Sequence, residues 1–217
     1  MKKIAELFFI ILLFAAAVMA QGFDVKAKGV QTFYFKDDQG RNQATFHSIT
    51  PMDEVDGLST VISGQISFDV TDVKNTLKGE ISFPTESLKT GIQMRDKDLK
   101  EAKWLDAERY PTISFTIKKV LDIKKLAPNK LDVKVLGGFN LHGVTNDITV
   151  DATMIYLDES PATEAREPGD LLGVISKFSI ALSKYNVKNM ILGTRVADKI
   201  DIGVNIVGTN KPQGGKQ

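Results

Sequence analysis

The chain has 217 residues, of which 42% are hydrophobic, so it is long enough for one domain with a sizeable core. Its net charge is +1 and no basic cluster is present, which excludes the electrostatic footprint of a nucleic-acid-binding protein and a basic patch for anionic lipid headgroups. The chain has no cysteine, which excludes a disulfide scaffold and a lipoprotein acylated on cysteine.

The N-terminus has the pattern of a secretory signal peptide. Lys2 precedes an uncharged apolar run at residues 7–18, and Ala20 is a suitable small residue before a cut at Gln21. This run is too short to cross a bilayer comfortably, since a transmembrane helix needs about 20 residues. We therefore predict that residues 1–20 are cleaved and that the mature protein is periplasmic or secreted, without a transmembrane span. The alternative is an uncleaved anchor.

The segment at residues 21–42 is ambiguous, and we predict an N-terminal extension in which Val30, Thr32 and Tyr34 form a possible edge strand. The following residues, 43–208, are predicted to form the main domain. Residues 209–217 contain a proline and two glycines and are predicted to be a disordered tail.

Most of the main domain alternates between apolar and polar residues, as in strands with one buried face and one wet face. The predicted strands lie at residues 43–50, 61–70, 77–83, 113–118, 131–141, 148–156, 174–182 and 200–206. Because each is polar on one side, the strands are predicted to be antiparallel. About eight such strands hide their edges by closing into a barrel, although a two-sheet sandwich would give much the same alternation.

One stretch interrupts this alternation. We predict a short helical insert near residues 95–107, which ends before Tyr110 because the residue before a proline is pushed out of the helical region. Trp104 lies within this charged stretch and is predicted to be buried, as the apolar foot by which the insert docks on the barrel.

The sequence contains no recognisable catalytic, metal-binding or nucleotide-binding motif. The two histidines, His47 and His142, lack the clustered spacing of a metal site, so we expect neither a metal nor a cofactor nor an enzyme. The polar residues with the best claim to function are Arg95, Asp96 and His142. They are predicted either to lie at the barrel mouth and orient a ligand headgroup, or to have structural roles in the insert and a tight turn.

Large apolar side chains on the predicted inward faces present a similar choice. They are predicted either to fill a core or to line an apolar ligand cavity, and they comprise Phe46, Phe68, Phe83, Phe115, Phe139, Leu141 and Phe178.

Two motifs resemble the YceI-like family. The first combines Thr90-Gly91, Arg95-Asp96 and the run WLDAERYP at residues 104–111, and the second is LHGVT at residues 141–145. The resemblance covers residues 44–207. Leu105 departs from the aromatic residue that is usual in the family, and residues 26–43 have no clear counterpart.

The resemblance implies a lipocalin-like barrel that holds a long isoprenoid lipid or isoprenoid quinone in its interior, and it is compatible with a homodimer. Specificity would then come from the length of the cavity and from polar groups at its mouth. Two alternatives stay open: an envelope stress or interaction module with a filled core, and an enzyme that acts on a lipid headgroup with His142 as base.

Overall fold

The computed structural model describes residues 21–211, and one antiparallel sheet dominates this part of the chain. The predicted signal peptide and residues 212–217 of the predicted tail lie outside the described residues. The ten strands of residues 21–211 are β1 (Val30–Tyr34), β2 (Gln43–Ile49), β3 (Glu54–Ser59), β4 (Ser63–Asp69), β5 (Lys78–Pro84), β6 (Thr112–Ala127), β7 (Lys130–Leu141), β8 (Val144–Leu157), β9 (Leu171–Ala181) and β10 (Lys199–Thr209).

Eight of these strands form a closed antiparallel barrel in the order β1-β4-β5-β6-β7-β8-β9-β10, with β10 returning to β1. The closing contact is the pairing of Tyr34 with Thr209. Closure removes the free edges that an open sheet of this length would expose. The predicted eight-stranded antiparallel barrel is therefore confirmed.

The remaining two strands form a hairpin that extends the barrel wall at one end. Strand β2 pairs with β10 at residues 201–205, and β3 reaches across to the chain after β5, where Leu58 and Lys89 exchange two backbone hydrogen bonds. Between the β1 and β2 contacts, the fully buried Asn42 side chain bonds both backbone groups of Val207. This amide bridges the gap in the ladder, so no buried peptide group is left unpaired there.

Helical structure in residues 21–211 is confined to short segments. The helices are α1 (Val73–Thr76), α2 (Gln93–Lys100) and α3 (Pro161–Glu164). Two 3-10 turns also occur, at Thr85–Ser87 and Leu182–Tyr185. The predicted helical insert exists, but its helix begins two residues earlier than predicted and ends at Lys100. No helix among the described residues is long and apolar enough to cross a membrane.

The N-terminal strand differs from the prediction. Strand β1 lies within the ring, between β4 and β10, and is not an edge strand. Its most buried residue is Phe33, while Val30 is exposed. Residues 21–42 thus contribute to the barrel and its core. At the other end of the chain, Thr209 is buried and belongs to β10, not to the predicted tail.

Candidate functional site

The barrel encloses an apolar cavity of about 510 Å³. This volume falls within the roughly 300–1,000 Å³ that is typical of ligand pockets in proteins. The cavity wall is built from the inward faces of the hairpin and the long strands, so the period-two alternation of the sequence determines its apolar character. Its only charged lining residues in the described part of the chain are Asp53, Arg95, Asp98 and Arg195.

Several apolar side chains that point inward keep some accessible surface, although the barrel wall shields them from outside. Phe115, Ala152, Val174 and Phe178 are examples, and each lines the cavity. In a filled core, such residues would pack against each other at the density of an organic crystal. Their residual surface therefore faces the cavity itself, and the barrel interior is partly open.

One end of the barrel is plugged by an aromatic cluster, here called the base, which consists of Phe23, Phe33, Phe68 and Tyr156. Their ring centroids lie 5.4–5.7 Å apart, and none of them lines the cavity. The Tyr156 hydroxyl donates a hydrogen bond of 2.6 Å to Asp170. Burial, together with this carboxylate, raises the pKa of Tyr156 well above its usual range, so the phenol stays neutral and the base stays uncharged.

Six of the seven predicted apolar site residues line the cavity, namely Phe46, Phe83, Phe115, Phe139, Leu141 and Phe178. Phe139 and Phe178 make an edge-to-face contact with centroids 5.7 Å apart. Phe68 does not line the cavity, because it stacks on Phe33 in the base. The alternating pattern predicts that all seven side chains lie inside the barrel, but it does not give the position of each one along the barrel axis, which we call its height.

Two glycines hold rings of this set flat against the wall. Phe46 lies opposite Gly57 on the neighbouring strand, and a Cβ at Gly57 would come within 2.2 Å of the Phe46 ring. A Cβ at Gly137 would likewise meet the Phe115 ring at 2.2 Å. Any larger side chain at these two positions would push the rings toward the cavity axis. The glycines thus widen the cavity, and Gly137 leaves room for the Phe115 ring against the wall.

The cavity opens at the end opposite the base. The mouth is bordered by Asp53, Ile92, Met94, Ile191 and Arg195, all of which both line the cavity and are exposed. These residues come from the β2–β3 hairpin, the start of α2 and the loop before β10. Three segments that are distant in sequence therefore meet around one opening.

Of the predicted polar residues, Arg95 lines the cavity near the mouth and Asp96 is tied to the same turn. Asp96 accepts hydrogen bonds from the backbone N–H and the hydroxyl of Thr90, at 2.6 and 2.5 Å, and Arg95 Nε donates to that hydroxyl at 3.0 Å. Partial burial acts to raise the pKa of Asp96, but the bonds from Thr90 outweigh it and hold the pKa below its usual value. Asp96 stabilises the turn through these hydrogen bonds, and Arg95 lines the cavity.

His142, in contrast, is not among the residues that line the cavity. It occupies the two-residue turn between β7 and β8, where His142 and Gly143 both have positive φ, as in the turns favoured by tight hairpins. Its Nδ1 lies 3.0 Å from the carbonyl oxygen of Tyr185, and its ring packs edge-on against Tyr110. The structure therefore places His142 in the hairpin turn, away from the residues that line the cavity, as in the structural interpretation.

Arg195 and Trp104 show how the sequence analysis missed cavity residues or gave them another role. Arg195 was missed because its loop carries no periodic signal. Trp104 is buried, as predicted, but it also lines the cavity together with Leu105. The helical insert therefore forms part of the cavity wall, and its apolar residues are the signal that could have shown this.

The outer face of the hairpin carries a second group of polar side chains. His47, Glu54 and Asp56 have ligand-type atoms within 4.8 Å of one another, an arrangement that the sequence could not reveal because β3 was not predicted. His47 Nδ1 lies 2.8 Å from Asp56 and 3.9 Å from Glu54. The hydrogen bond to Asp56, assisted by the nearby negative charges, raises the pKa of His47. A cross-strand ion pair accounts for this geometry.

We expect Asp56→Asn to lower the pKa of His47, because it removes the hydrogen bond and one negative charge that favour the imidazolium. An NMR pH titration measures this, with the His47 signals assigned from their absence in a His47→Gln variant. Since the folded-state pKa is raised, the stabilising contribution of the pair is complete below the unfolded value of about 6.5 and is lost as pH rises through the folded-state pKa. An unchanged titration in Asp56→Asn would contradict this account.

The comparisons with known proteins agree with this architecture. The YceI-like domain family matches residues 35–208. A UPF0312 protein of Vibrio vulnificus is 28% identical over 157 residues, which cover 72% of this chain and 75% of that protein. The YceI protein of Escherichia coli O157:H7 is 28% identical over 134 residues, which cover 62% of this chain and 63% of that protein.

Two solved structures have the same fold. BcnA of Burkholderia cenocepacia superposes with a TM-score of 0.62 at 20% identity, covering 79% of this chain and 99% of that structure. A domain from Saccharophagus degradans, described as polyisoprenoid binding and implicated in plant cell wall breakdown, superposes with a TM-score of 0.62 at 14% identity. It covers 83% of this chain and 98% of that domain.

Proposed function

The chain belongs to the YceI-like domain family, and from this membership and the geometry of its barrel we propose that it binds a long isoprenoid-type lipid, either a polyisoprenoid or an isoprenoid quinone. The observation that carries the proposal is the apolar cavity, which is plugged at the base and open at the mouth. The polyisoprenoid-binding description of the Saccharophagus degradans domain, which shares the fold, supports the choice of lipid class.

The driving force in this proposal is removal of the lipid chain from water. Each CH₂ group that enters the cavity contributes about 0.8 kcal/mol, so even part of an isoprenoid chain supplies substantial affinity. The wall offers few polar partners, whereas Arg95 and Arg195 stand where a headgroup would meet solvent. The protein would then sequester or carry the lipid without transforming it.

The geometry gives less support to the other two functions. A headgroup enzyme using His142 as base would need that side chain at the cavity, and its Nδ1 instead faces the carbonyl oxygen of Tyr185. A module with a filled core would leave no interior space, and the barrel interior contains about 510 Å³ of it. Binding without catalysis is therefore the proposal that the site favours.

The proposed setting is the periplasm or the extracellular medium. It rests on the signal-peptide pattern of residues 1–20. In this setting, a lipid with a long apolar chain cannot cross the aqueous space unaided, and a soluble carrier shields it from water.

The test is organic extraction of the protein recovered from the cell envelope, followed by mass spectrometry of the extract and N-terminal sequencing of the protein. We expect an isoprenoid lipid in the extract and Gln21 as the first residue. Ala152 lies on the cavity wall, so Ala152→Phe should place a ring in the cavity, reduce lipid retention and leave the barrel folded.

Ala152→Ser serves as the matched control, since it adds only one atom and should retain the lipid. If the wild-type extract contains no lipid, or if Ala152→Phe keeps as much lipid as the wild type, the carrier proposal is wrong.

A further inference from the structure

The mouth of the cavity is surrounded by exposed apolar side chains. We call this set the rim, and it consists of Ile49, Met52, Ile92, Met94, Met190 and Ile191. Met52, Met94 and Met190 are 74%, 77% and 99% exposed, which is far from the usual state of methionine in a folded protein. A contiguous exposed apolar patch indicates a binding surface, whereas isolated apolar residues do not.

The rim residues form one border because their three parent segments are bonded to each other. Asn189 Nδ2, in the loop before β10, donates to the carbonyl oxygen of Lys103 in the insert at 3.1 Å. The backbone N–H of Ala197, in the same loop, donates to Ser48 Oγ of the hairpin at 2.9 Å. Leu58 of the hairpin pairs with Lys89, just before the insert. These contacts connect the loop before β10, the insert and the hairpin to one another around the mouth.

The rim is continuous with the cavity wall. Ile92, Met94 and Ile191 belong to both, so an apolar chain that moves between the rim and the cavity stays in contact with apolar side chains throughout. This continuity matters only if the source of the chain is itself apolar and lies against the rim. A lipid bilayer satisfies both conditions.

Two cations beside the rim favour an anionic bilayer, although they are too few to form the extended basic patch that the sequence lacks. Lys188 and Arg195 flank Met190 in a loop that has no acidic residue between positions 187 and 197. The acidic residues at the mouth belong to the other segments. Asp98 is paired with Lys103 at 2.9 Å, whereas Asp53 follows the rim residue Met52 in the hairpin turn, so the cationic side of the rim is the loop before β10. Apolar side chains next to cations are the combination by which proteins lie on membrane surfaces.

We propose that the rim docks reversibly on membranes that contain anionic phospholipids, and that the lipid enters and leaves the cavity in this docked state. This inference rests on the proposed function for its purpose, although docking itself is measured separately. With two flanking cations, each worth about fivefold in affinity, the attachment is weak and transient, as a carrier requires. The flexible methionines suit a surface that accommodates a fluid bilayer.

The experiment measures co-sedimentation of the full chain with sucrose-loaded vesicles of phosphatidylcholine and phosphatidylglycerol at low salt. The test variant is Met52→Ser with Met190→Ser, because neither residue lines the cavity. The control variant is Val30→Ser with Leu157→Ser, two exposed apolar residues on β1 and β8, the strands that carry Phe33 and Tyr156 of the base. We expect the test variant to bind roughly tenfold more weakly than the wild type, since burial of each methionine contributes in proportion to its apolar area. The control should bind as the wild type does.

Binding should also weaken in vesicles of phosphatidylcholine alone and at high salt. The inference is overturned if the wild type does not sediment with the vesicles or if the test variant binds as tightly as the wild type. It is also overturned if gel filtration shows that the wild type is a dimer and the test variant a monomer, because the rim would then be a contact between two copies.

Lipid extraction is run in parallel to separate the two proposals. A wild type that holds lipid but does not sediment with the vesicles contradicts docking alone, whereas a wild type without lipid contradicts the proposed function.

Discussion

Replacing Trp104 with alanine should lower the free energy of unfolding by about 3–5 kcal/mol, the usual cost of truncating a buried aromatic side chain. Trp104 is only 8% exposed and packs in a cluster with Leu88, Leu105 and Ile113. The indole is thus the main apolar contact by which a largely charged insert is fixed to the barrel. Loss of the ring leaves a void where the insert meets the wall, and the insert cannot fill it without moving.

Denaturant unfolding measures this change, and Met94→Ala is the matched control on the same insert. Met94 is exposed, so its truncation should change the free energy of unfolding by less than about 0.5 kcal/mol. A loss below about 1 kcal/mol for Trp104→Ala would mean that the insert is held by other contacts. Because Trp104 also lines the cavity, the variant should retain less lipid even under conditions where it is fully folded.

The barrel was predictable from the sequence because its long strands combine inward apolar and outward polar residues. The residues of strands β7 and β8 alternate almost without interruption, and the two strands pair along the whole of β7. Strand β3, Glu54–Ser59, was missed because it places a glycine and a serine on its buried face beside Val55. Small buried residues carry no hydrophobic signal, although Gly57 is there because the Phe46 ring needs the space.

The candidate site was less predictable, since it depends on the position of each side chain along the barrel axis and on the loops at the mouth. Periodicity assigns a side chain to the inner face of the sheet but cannot separate Phe68 in the base from Phe115 in the cavity wall. The mouth is formed by segments that meet only in the folded chain, so Arg195 and the rim had no local pattern to reveal them. His142 was considered for the mouth because it is one of only two histidines in the sequence, whereas its positive φ and its contact with Tyr110 explain it as turn geometry.

This difference in height leads to the second large effect, a contrast between two phenylalanines that the sequence treats alike. Phe68→Ala should lower the free energy of unfolding by about 3–5 kcal/mol, because Phe68 is 1% exposed and its removal opens a void among Phe23, Phe33 and Tyr156. Phe115→Ala should lower it by about 1–2 kcal/mol only, since the ring is half-buried, unlike that of Trp104, and its loss widens an existing space.

Denaturant unfolding of the delipidated proteins gives both values, and extraction of the lipid-bound proteins gives the cargo. Phe68→Ala should retain the wild-type lipid profile when it is folded, because the base does not touch the cavity. Phe115→Ala should shift the profile toward bulkier or longer chains, since removal of the ring over Gly137 leaves more room in the wall. Equal losses of stability with an unchanged lipid profile would mean that Phe115 lies in a packed core. The two halves of the barrel would then have the same role, and the apolar cavity would no longer explain why the inner face carries so many large rings.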